Sequence, residues 1–264
     1  MALPTLVAHR GYSSRYPENT LASIEAALTA GARYIEFDLQ MIADDEFVLM
    51  HDNNLQRASG ISKSVFSLTR QTIRNFQADY YGKFSGQFNG IKIPLLENVL
   101  SLLAQFPQAV ALVEIKQESL DEHGVEKVMQ KLLPQLKSIQ DRCYLISFNT
   151  DAIDYTKKHS TIKTGFILHK FNDKHRQLSE QLQPELLICN YRKLPEFNSL
   201  GQLPENTLWP GDWDWVLYAI DQPELAIRYA DSNIAYIETN AIGTMLQHPL
   251  LNAQVIDHSA NDSP

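Results

Sequence analysis

The chain has few cysteines, no long apolar run and no glycine-rich phosphate loop, and each absence excludes a class of protein. The two cysteines, Cys143 and Cys189, lie in apolar strand-like segments. Buried free thiols are therefore expected there, without a disulfide framework or a zinc site. No apolar run approaches the ~18 residues of a membrane span. Gly11 stands alone after the first predicted strand, which argues against a Rossmann cofactor site.

Positive charge is also in short supply, because 23 lysines and arginines face 31 acidic residues, for a net charge of -8. An acidic surface argues against nucleic acid and anionic membrane as partners. It does not exclude a small phosphate ester, because a local cationic site can override the global charge. The chemically informative residues begin at His9 and leave no room for a cleavable signal, so we expect a cytoplasmic protein without a transmembrane segment.

Short apolar segments alternate with helical ones along the chain, which is the pattern of repeated βα units and a parallel sheet. The predicted barrel strands are Thr5–Ala8, Arg33–Gln40, Ala109–Lys116, Arg142–Phe148, Lys163–His169, Glu185–Tyr191, Asp214–Ile220 and Ile234–Thr239. The predicted helices are Thr20–Ala30, Leu95–Phe106, Leu120–Lys137, Asp151–Lys158, Asn172–Leu182 and Pro223–Ala230. Eight such strands in 264 residues predict an α/β fold, a TIM-type (β/α)8 barrel that forms a single domain over residues 1–264.

An early hairpin and an irregular segment interrupt this alternation. The strand-like Phe47–His51 follows Arg33–Gln40 too closely for a crossover helix, so residues 33–51 are predicted to form a hairpin. Residues 52–94 then form a small insertion rich in Gly, Ser, Asn and aromatic residues. The insertion is either a lid near the barrel mouth or a loop packed on the outside.

Three carboxylates stand at or near strand ends. Glu36 and Asp38 are two residues apart on one strand, so both side chains lie on the same face. Glu114 adds a third carboxylate near the end of another strand. One of them could instead pair with an arginine, but two anions on the inward face of an apolar strand favour a metal site. Carboxylates and water suit Mg²⁺ or Ca²⁺.

Two cations accompany these carboxylates. Lys116 follows Glu114 by two residues and shares its face, where a substrate phosphate between lysine and metal would balance the charges. Arg10 follows the first strand, where a guanidinium can hold a phosphate with two hydrogen bonds. For both residues a structural ion pair is the alternative, which for Lys116 would be with Glu114 or an aspartate.

Two histidines, His9 and His51, each end an apolar strand, next to Arg10 and Asp52 respectively. Histidine is the side chain whose ordinary pKa suits proton transfer near neutral pH. A single histidine at a strand end is more often a structural hydrogen bonder. Two of them near three carboxylates favour a catalytic acid–base pair.

The spacing of these motifs resembles one known family, and the resemblance is densest over residues 7–57 and thinner to about residue 240. The matching residues are His9-Arg10-Gly11, Pro17-Glu18-Asn19-Thr20, Glu36-Phe37-Asp38, Val48-Leu49-Met50-His51-Asp52, Leu55, Arg57, Ile93-Pro94-Leu95, Glu97, Glu114-Ile115-Lys116 and Ser147-Phe148. They resemble the glycerophosphodiester phosphodiesterases of the short bacterial cytoplasmic type.

The resemblance implies a TIM-type barrel with one divalent cation, Mg²⁺ or Ca²⁺, and a small insertion after the His-Asp motif. It implies metal-dependent hydrolysis of a small-molecule glycerophosphodiester to glycerol 3-phosphate and an alcohol. The implied roles are as follows: His9 and His51 are the acid–base pair; Glu36, Asp38 and Glu114 are the metal ligands; Arg10 and Lys116 contact the phosphate.

The chain departs from the family pattern at three places. Leu217-Tyr218-Ala219-Ile220 stands where Trp-Thr-Val-Asn is usual, Asn240 stands where an Asp follows Thr, and Ile42 replaces a common Thr. Two alternatives therefore remain. One is phospholipase D-like action on lysophospholipids or sphingomyelin, although such toxins are secreted and disulfide-bonded. The other is a non-catalytic metal- and phosphate-binding relative, which would need no acid–base pair.

Overall fold

Eight parallel strands close into a barrel in the computed structural model, which describes residues 3–199 and 201–252. A ninth strand, β3, pairs with the barrel in antiparallel fashion, and in chain order the nine strands are β1 (Thr5–His9), β2 (Tyr34–Met41), β3 (Phe47–Leu49), β4 (Val110–Ile115), β5 (Cys143–Ser147), β6 (Lys163–Ile167), β7 (Leu186–Asn190), β8 (Asp214–Tyr218) and β9 (Tyr236–Thr239). Around the barrel the order is β1-β2-β4-β5-β6-β7-β8-β9, and β9 pairs with β1 to close it. The predicted TIM-type barrel is confirmed.

Helices cover the outside of the barrel, and three further short α-helices lie within residues 52–94. In chain order the α-helices are α1 (Leu21–Thr29), α2 (Gln56–Ser59), α3 (Arg70–Ile73), α4 (Tyr81–Phe84), α5 (Leu96–Leu103), α6 (Gln117–His123), α7 (Val125–Leu136), α8 (Thr150–His159), α9 (Asp173–Leu182), α10 (Pro223–Ala230) and α11 (Ile242–Gln247). Helix α1 begins where the Thr20 hydroxyl accepts a hydrogen bond from the Ser23 backbone, in a reciprocal capping box. Among the described residues, none of the helices is both long enough and apolar enough to cross a membrane.

The predicted elements differ from the observed ones in three respects. The predicted helix Leu120–Lys137 is two helices, because Gly124 has a φ of +83° and separates α6 from α7. Helix α11, Ile242–Gln247, follows the last strand, where no helix was predicted. The last predicted strand starts later than expected, at Tyr236, after a turn in which Asn233 has a φ of +65°.

The core has two layers. Inside the barrel, apolar side chains from several strands pack against one another: Val7, Leu112, Ile146, Ile167, Leu186, Ile188 and Val216. Outside it, the other face of each strand packs against the surrounding helices. Cys143 and Cys189 are both buried and free, as predicted. The single-domain prediction covers residues 1–264, of which residues 1, 2, 200 and 253–264 lie outside the described residues.

Strand β3 pairs with β2 in antiparallel fashion and completes the predicted hairpin, although it ends at Leu49 and not at His51. Residues 52–94, which hold only short helices, form a small core of their own with the hairpin. Ile42 is fully buried in that core, which accounts for an apolar residue where the family often has Thr. The segment also reaches the loop after β1, because Lys83 Nζ donates to the Ser13 carbonyl and Phe88 packs on Tyr16.

Candidate active site

The predicted site residues come together at the carboxyl ends of the barrel strands. One cavity there is lined by all of them except Asp38, whose side chain is buried directly beneath: the lining includes His9, Arg10, Glu36, His51, Glu114, Lys116, Phe148, Tyr218 and Glu238. This is the end of a TIM-type barrel at which active sites are found. Parallel pairing of β1, β2 and β4 brings the residues together, with His9 opposite Glu36 and Asp38 opposite Glu114.

The three carboxylates form a compact cluster, here called the metal triad: Glu36, Asp38 and Glu114. Each offers an oxygen within 4.8 Å of the others, and all three side chains are buried. Burial and the Asp38 charge raise the pKa of Glu36 well above its usual range and that of Glu114 to about 7. Asp38 Oδ1 is buried and makes no hydrogen bond among the described residues, although Lys116 Nζ lies 3.3 Å from it. An all-oxygen donor set with clustered negative charge fits a hard divalent cation.

Asp38 is held ionised by its surroundings. Burial alone would raise its pKa, but the Arg10 guanidinium and the Lys116 ammonium hold that pKa far below the usual range. Asn19 orients the carboxylate, because its amide donates to Asp38 Oδ2 at 2.7 Å while its carbonyl oxygen accepts from the Asp38 backbone N–H. Asn19 belongs to the motif Pro17-Glu18-Asn19-Thr20 that resembles the family, and its contact with Asp38 is not predictable from the sequence pattern.

The two cations contact carboxylates in this structure. Lys116 Nζ lies 2.7 Å from Glu114 Oε1 and 3.3 Å from Asp38 Oδ1. Arg10 Nη1 donates to Glu18 at 2.8 Å, and Arg10 Nε lies 3.0 Å from Asp38 Oδ2. Both cations also line the cavity. Their predicted contact with a phosphate remains a prediction.

The backbone of the His-Arg-Gly motif turns sharply after β1 because it passes close to α1. Arg10 has a φ of +56°, and its N–H donates to Glu36 Oε2 at 2.9 Å. Gly11 has a φ of +78°, and a Cβ there would lie 2.5 Å from the Ser23 backbone. Only glycine fits this close approach to α1, so Gly11 allows the turn that aims Arg10 at the metal triad.

His9 belongs to a hydrogen-bonded chain that reaches β9 and the loop after β8. Its Nδ1 lies 2.9 Å from Asn240 Oδ1, and the Asn240 amide nitrogen donates to Asp221 at 3.0 Å. Because a carboxylate only accepts, Asp221 fixes the orientation of the Asn240 amide and presents its oxygen to His9. His9 therefore carries its proton on Nδ1, and its free Nε2 lies 3.9 Å from Glu36 Oε2. Burial and the nearby Arg10 lower the pKa of His9 to about 4.

His51 has a carboxylate as its partner instead of an amide. Its Nδ1 lies 2.7 Å from Asp52 Oδ1, and Arg57 donates to both oxygens of that carboxylate. Arg57 also donates to Glu18, which in turn accepts from Arg10. Burial lowers the pKa of His51, whereas the Asp52 hydrogen bond opposes that shift. Although partial burial opposes it, hydrogen bonds from Arg57 and His51 lower the pKa of Asp52 to about 2.

Several residues of the site carried no functional role in the sequence. Glu238 and Tyr218 line the cavity from β9 and β8, and Tyr218 lies beside His9 with ring centroids 6.4 Å apart. In the sequence Asn240 stands out only as a departure from the family pattern, and no motif marks Asp221. The one local signal for Glu238 is a charged residue inside the apolar strand Tyr236–Thr239.

Comparisons with known proteins agree with this geometry. A sequence model of the Glycerophosphoryl diester phosphodiesterase family matches residues 9–207. A glycerophosphodiester phosphodiesterase of Bacillus altitudinis is 31% identical over 144 residues, which cover 54% of this chain and 58% of the relative. For one of Caldanaerobacter subterraneus, 31% identity extends over 163 residues, 61% of this chain and 65% of the relative. The chain thus spans less than two thirds of the length of these relatives.

Solved structures share the fold over nearly the whole chain. A phosphodiesterase of Oleispira antarctica has a TM-score of 0.79 at 22% identity and covers 97% of both chains. A glycerophosphodiester phosphodiesterase of Thermotoga maritima has a TM-score of 0.72 at 19% identity, over 94% of this chain and 99% of that one. At these identities the likeness shows the barrel fold alone.

Proposed function

Because the chain belongs to the glycerophosphoryl diester phosphodiesterase family, we propose that it hydrolyses glycerophosphodiesters to sn-glycerol 3-phosphate and an alcohol. The observation that carries this proposal is the convergence of the metal triad, two cations and two separately oriented imidazoles on one cavity. The Oleispira antarctica phosphodiesterase, which shares the fold, is described in complex with the product sn-glycerol-3-phosphate. A protein that only bound metal and phosphate would not need two oriented imidazoles.

In this proposal the metal triad holds one divalent cation, Mg²⁺ or Ca²⁺. When bound, the cation supplies Lewis-acid polarisation of a phosphate oxygen and neutralises developing negative charge. Lys116 and Arg10 then donate hydrogen bonds to the phosphate in addition to their contacts with the carboxylates. Their placement suits this role, because each lies against Asp38 and lines the cavity.

The two histidines differ in their partners, and this difference favours opposite roles. The neutral amide of Asn240 holds His9 with a free Nε2, which suits a general base that takes a proton from the nucleophile. The carboxylate of Asp52 stabilises a protonated His51, which suits a general acid that gives a proton to the departing alcohol oxygen. The phosphorus–oxygen bond to the alcohol breaks as the nucleophile adds to phosphorus.

The nucleophile is either water or the neighbouring hydroxyl of the glycerol moiety. Attack by the hydroxyl forms a cyclic phosphate, which water then opens. Phosphorus NMR during turnover distinguishes the two routes, because only the second gives a cyclic glycerophosphate signal.

The test is turnover of glycerophosphocholine with Mg²⁺ or Ca²⁺, followed by release of choline and of sn-glycerol 3-phosphate. His9→Ala and His51→Ala should each lower kcat by ~10²–10⁴-fold, the usual share of acid–base catalysis. His159→Ala is the matched control, because His159 is exposed at the end of α8 and should leave kcat unchanged. If kcat of His51→Ala were close to that of the parent, His51 would have a structural role and not a catalytic one.

Two further measurements test the alternatives. Release of choline from lysophosphatidylcholine or sphingomyelin, without hydrolysis of glycerophosphocholine, would replace the proposed substrate with a lysophospholipid or sphingolipid. Absence of turnover with every diester, at retained metal affinity, would indicate a non-catalytic relative. The cytoplasmic location stays a prediction that cell fractionation would test.

A further inference from the structure

Glu238 is an acidic side chain in the floor of the cavity that the proposed mechanism does not use. It lies on β9 opposite Val7 of β1, is only 3% exposed, and lines the cavity together with Ile146, Ile188 and Tyr218. Its Oε1 is fully buried and has no hydrogen-bond partner among the described residues. Buried polar atoms nearly always have a partner, and each exception needs an explanation.

Neither the metal triad nor an ion pair explains this carboxyl group. The oxygens that lie within 4.8 Å of one another belong to Glu36, Asp38 and Glu114, and Glu238 is outside that group. Within the part of the chain that the structure describes, no lysine, arginine or histidine lies within ion-pair distance of it. A molecule that binds in the cavity can supply this partner.

The chemistry of the cavity restricts what that molecule presents to Glu238. A phosphate group is matched by Arg10 and Lys116, the two cations that line the same cavity, and not by Glu238. A quaternary ammonium has no hydrogen to donate. Burial and the charge of Glu114 raise the pKa of Glu238 to about 8, and a hydroxyl group can hydrogen-bond to this carboxyl group in either protonation state, as donor or as acceptor.

We propose that Glu238 binds a hydroxyl group of the glycerol moiety of the substrate and thereby selects phosphate esters of polyols over those of simple alcohols. This inference rests on the proposed function, because it places a glycerophosphodiester in this cavity. Glu238 would be a specificity-determining residue, since a site with a buried hydrogen-bonding group disfavours an analogue that leaves that group unpaired.

The experiment compares binding of three ligands to the metal-loaded protein by calorimetry: sn-glycerol 3-phosphate, propyl phosphate and phosphocholine. Propyl phosphate has the same carbon chain as glycerol phosphate and lacks both hydroxyls. The variants are Glu238→Leu, which removes the hydrogen-bonding group at similar volume, and Glu238→Gln, which retains it in neutral form. If the leucine variant does not fold, Glu238→Met, with an unbranched side chain of similar length, takes its place.

The parent should bind sn-glycerol 3-phosphate more tightly than propyl phosphate. Glu238→Leu should weaken binding of sn-glycerol 3-phosphate roughly 10- to 100-fold, the usual range for a hydrogen bond to a buried acidic group. Its affinity for propyl phosphate should be unchanged, and Glu238→Gln should keep most of the preference. Equal losses for both esters, no loss for either, or a loss confined to phosphocholine would each overturn the inference.

These outcomes are separate from failure of the proposed function. If the parent did not hydrolyse any glycerophosphodiester, the proposed reaction would be wrong, whereas the preference for a polyol phosphate could still be measured. If the parent hydrolysed glycerophosphocholine and Glu238→Leu kept the same ligand preference, only the inference on Glu238 would be wrong.

Discussion

Substitution of Asp221 by Asn should move the His9 ring proton from Nδ1 to Nε2, although Asp221 makes no direct contact with His9. In the parent, one Asp221 oxygen accepts from the Asn240 backbone N–H and from Thr239 Oγ1, and the other accepts from the Asn240 side chain at 3.0 Å. In Asp221→Asn the amide oxygen keeps the first two bonds, so the new amide nitrogen faces the Asn240 nitrogen. Two donors then meet, and the Asn240 amide must turn over.

The turned amide presents a donor to His9 Nδ1, which must then accept and carry its proton on Nε2. Nε2 can no longer take a proton from the nucleophile. Loss of a general base costs ~10²–10⁴-fold, and the wrong histidine tautomer in the serine-protease triad costs about 10⁴-fold. We therefore expect kcat for glycerophosphocholine to fall by ~10²–10⁴-fold, or about 3–5 kcal/mol, with little change in KM. Nitrogen NMR of the His9 ring reports the tautomer directly.

The exchange variant, with Asp221→Asn and Asn240→Asp together, is the matched control. The new Asn donates to the new Asp, whose other oxygen accepts from His9 Nδ1, so turnover should recover. A carboxylate at His9 also stabilises the imidazolium, so the pKa of His9 should rise from about 4 and the acidic limb of the pH profile should move to higher pH by ~1–3 units. Near-parental kcat in the single variant, or no recovery in the exchange variant, would refute the reasoning.

Three further predictions concern other parts of the site. Because burial raises the pKa of Glu36 and Glu114 in the metal triad, the free energy of unfolding of the metal-free protein should fall as pH rises from ~4.5 to ~7. In thermal unfolding, saturating Mg²⁺ or Ca²⁺ should therefore raise Tm more at about pH 8 than at about pH 5. The double variant Glu36→Gln with Asp38→Asn should abolish this metal-dependent gain in Tm. Asp52→Asn removes the carboxylate that favours protonated His51, so the alkaline limb of kcat should move to lower pH by about one unit, and an unmoved limb would contradict the acid role. Tyr81 is an exposed aromatic residue of the 52–94 segment, and Tyr81→Ala should change the relative rates of hydrolysis of choline, ethanolamine and inositol diesters while metal affinity stays unchanged. Equal slowing of all three reactions would indicate that the segment is a general lid or scaffold.

The sequence predicted the barrel well because its signals are local. Each strand is a short apolar run and each helix has an apolar stripe, so the alternation is readable without knowledge of tertiary contacts. The errors arose where a single residue overrides the pattern. Gly124 breaks an otherwise continuous helical stripe into α6 and α7, and the periodicity of apolar residues does not register such a break.

The convergence of site residues could be predicted only for those that lie on the neighbouring strands β1, β2 and β4. His9, Glu36 and Glu114 follow from strand ends that must meet at one edge of a parallel sheet. Asn240 and Glu238 reach His9 and the cavity only because β9 closes the barrel onto β1, a contact more than 220 residues apart in sequence. Such a contact leaves no local pattern in the sequence, and a single polar residue in an apolar strand has many explanations.

One departure from the family pattern, Asn240, belongs to the hydrogen-bond network of His9. Asn240 stands where the family usually has Asp, and Asp221 lies on the far side of its amide, so the carboxylate is one hydrogen bond further from His9. The amide separates that negative charge from the imidazole, so His9 keeps an oriented Nδ1–H without the stabilisation of its charged form. His51, in contrast, touches Asp52 directly. Two imidazoles in one cavity thus have partners of different charge, which is the condition for one to act as base while the other acts as acid.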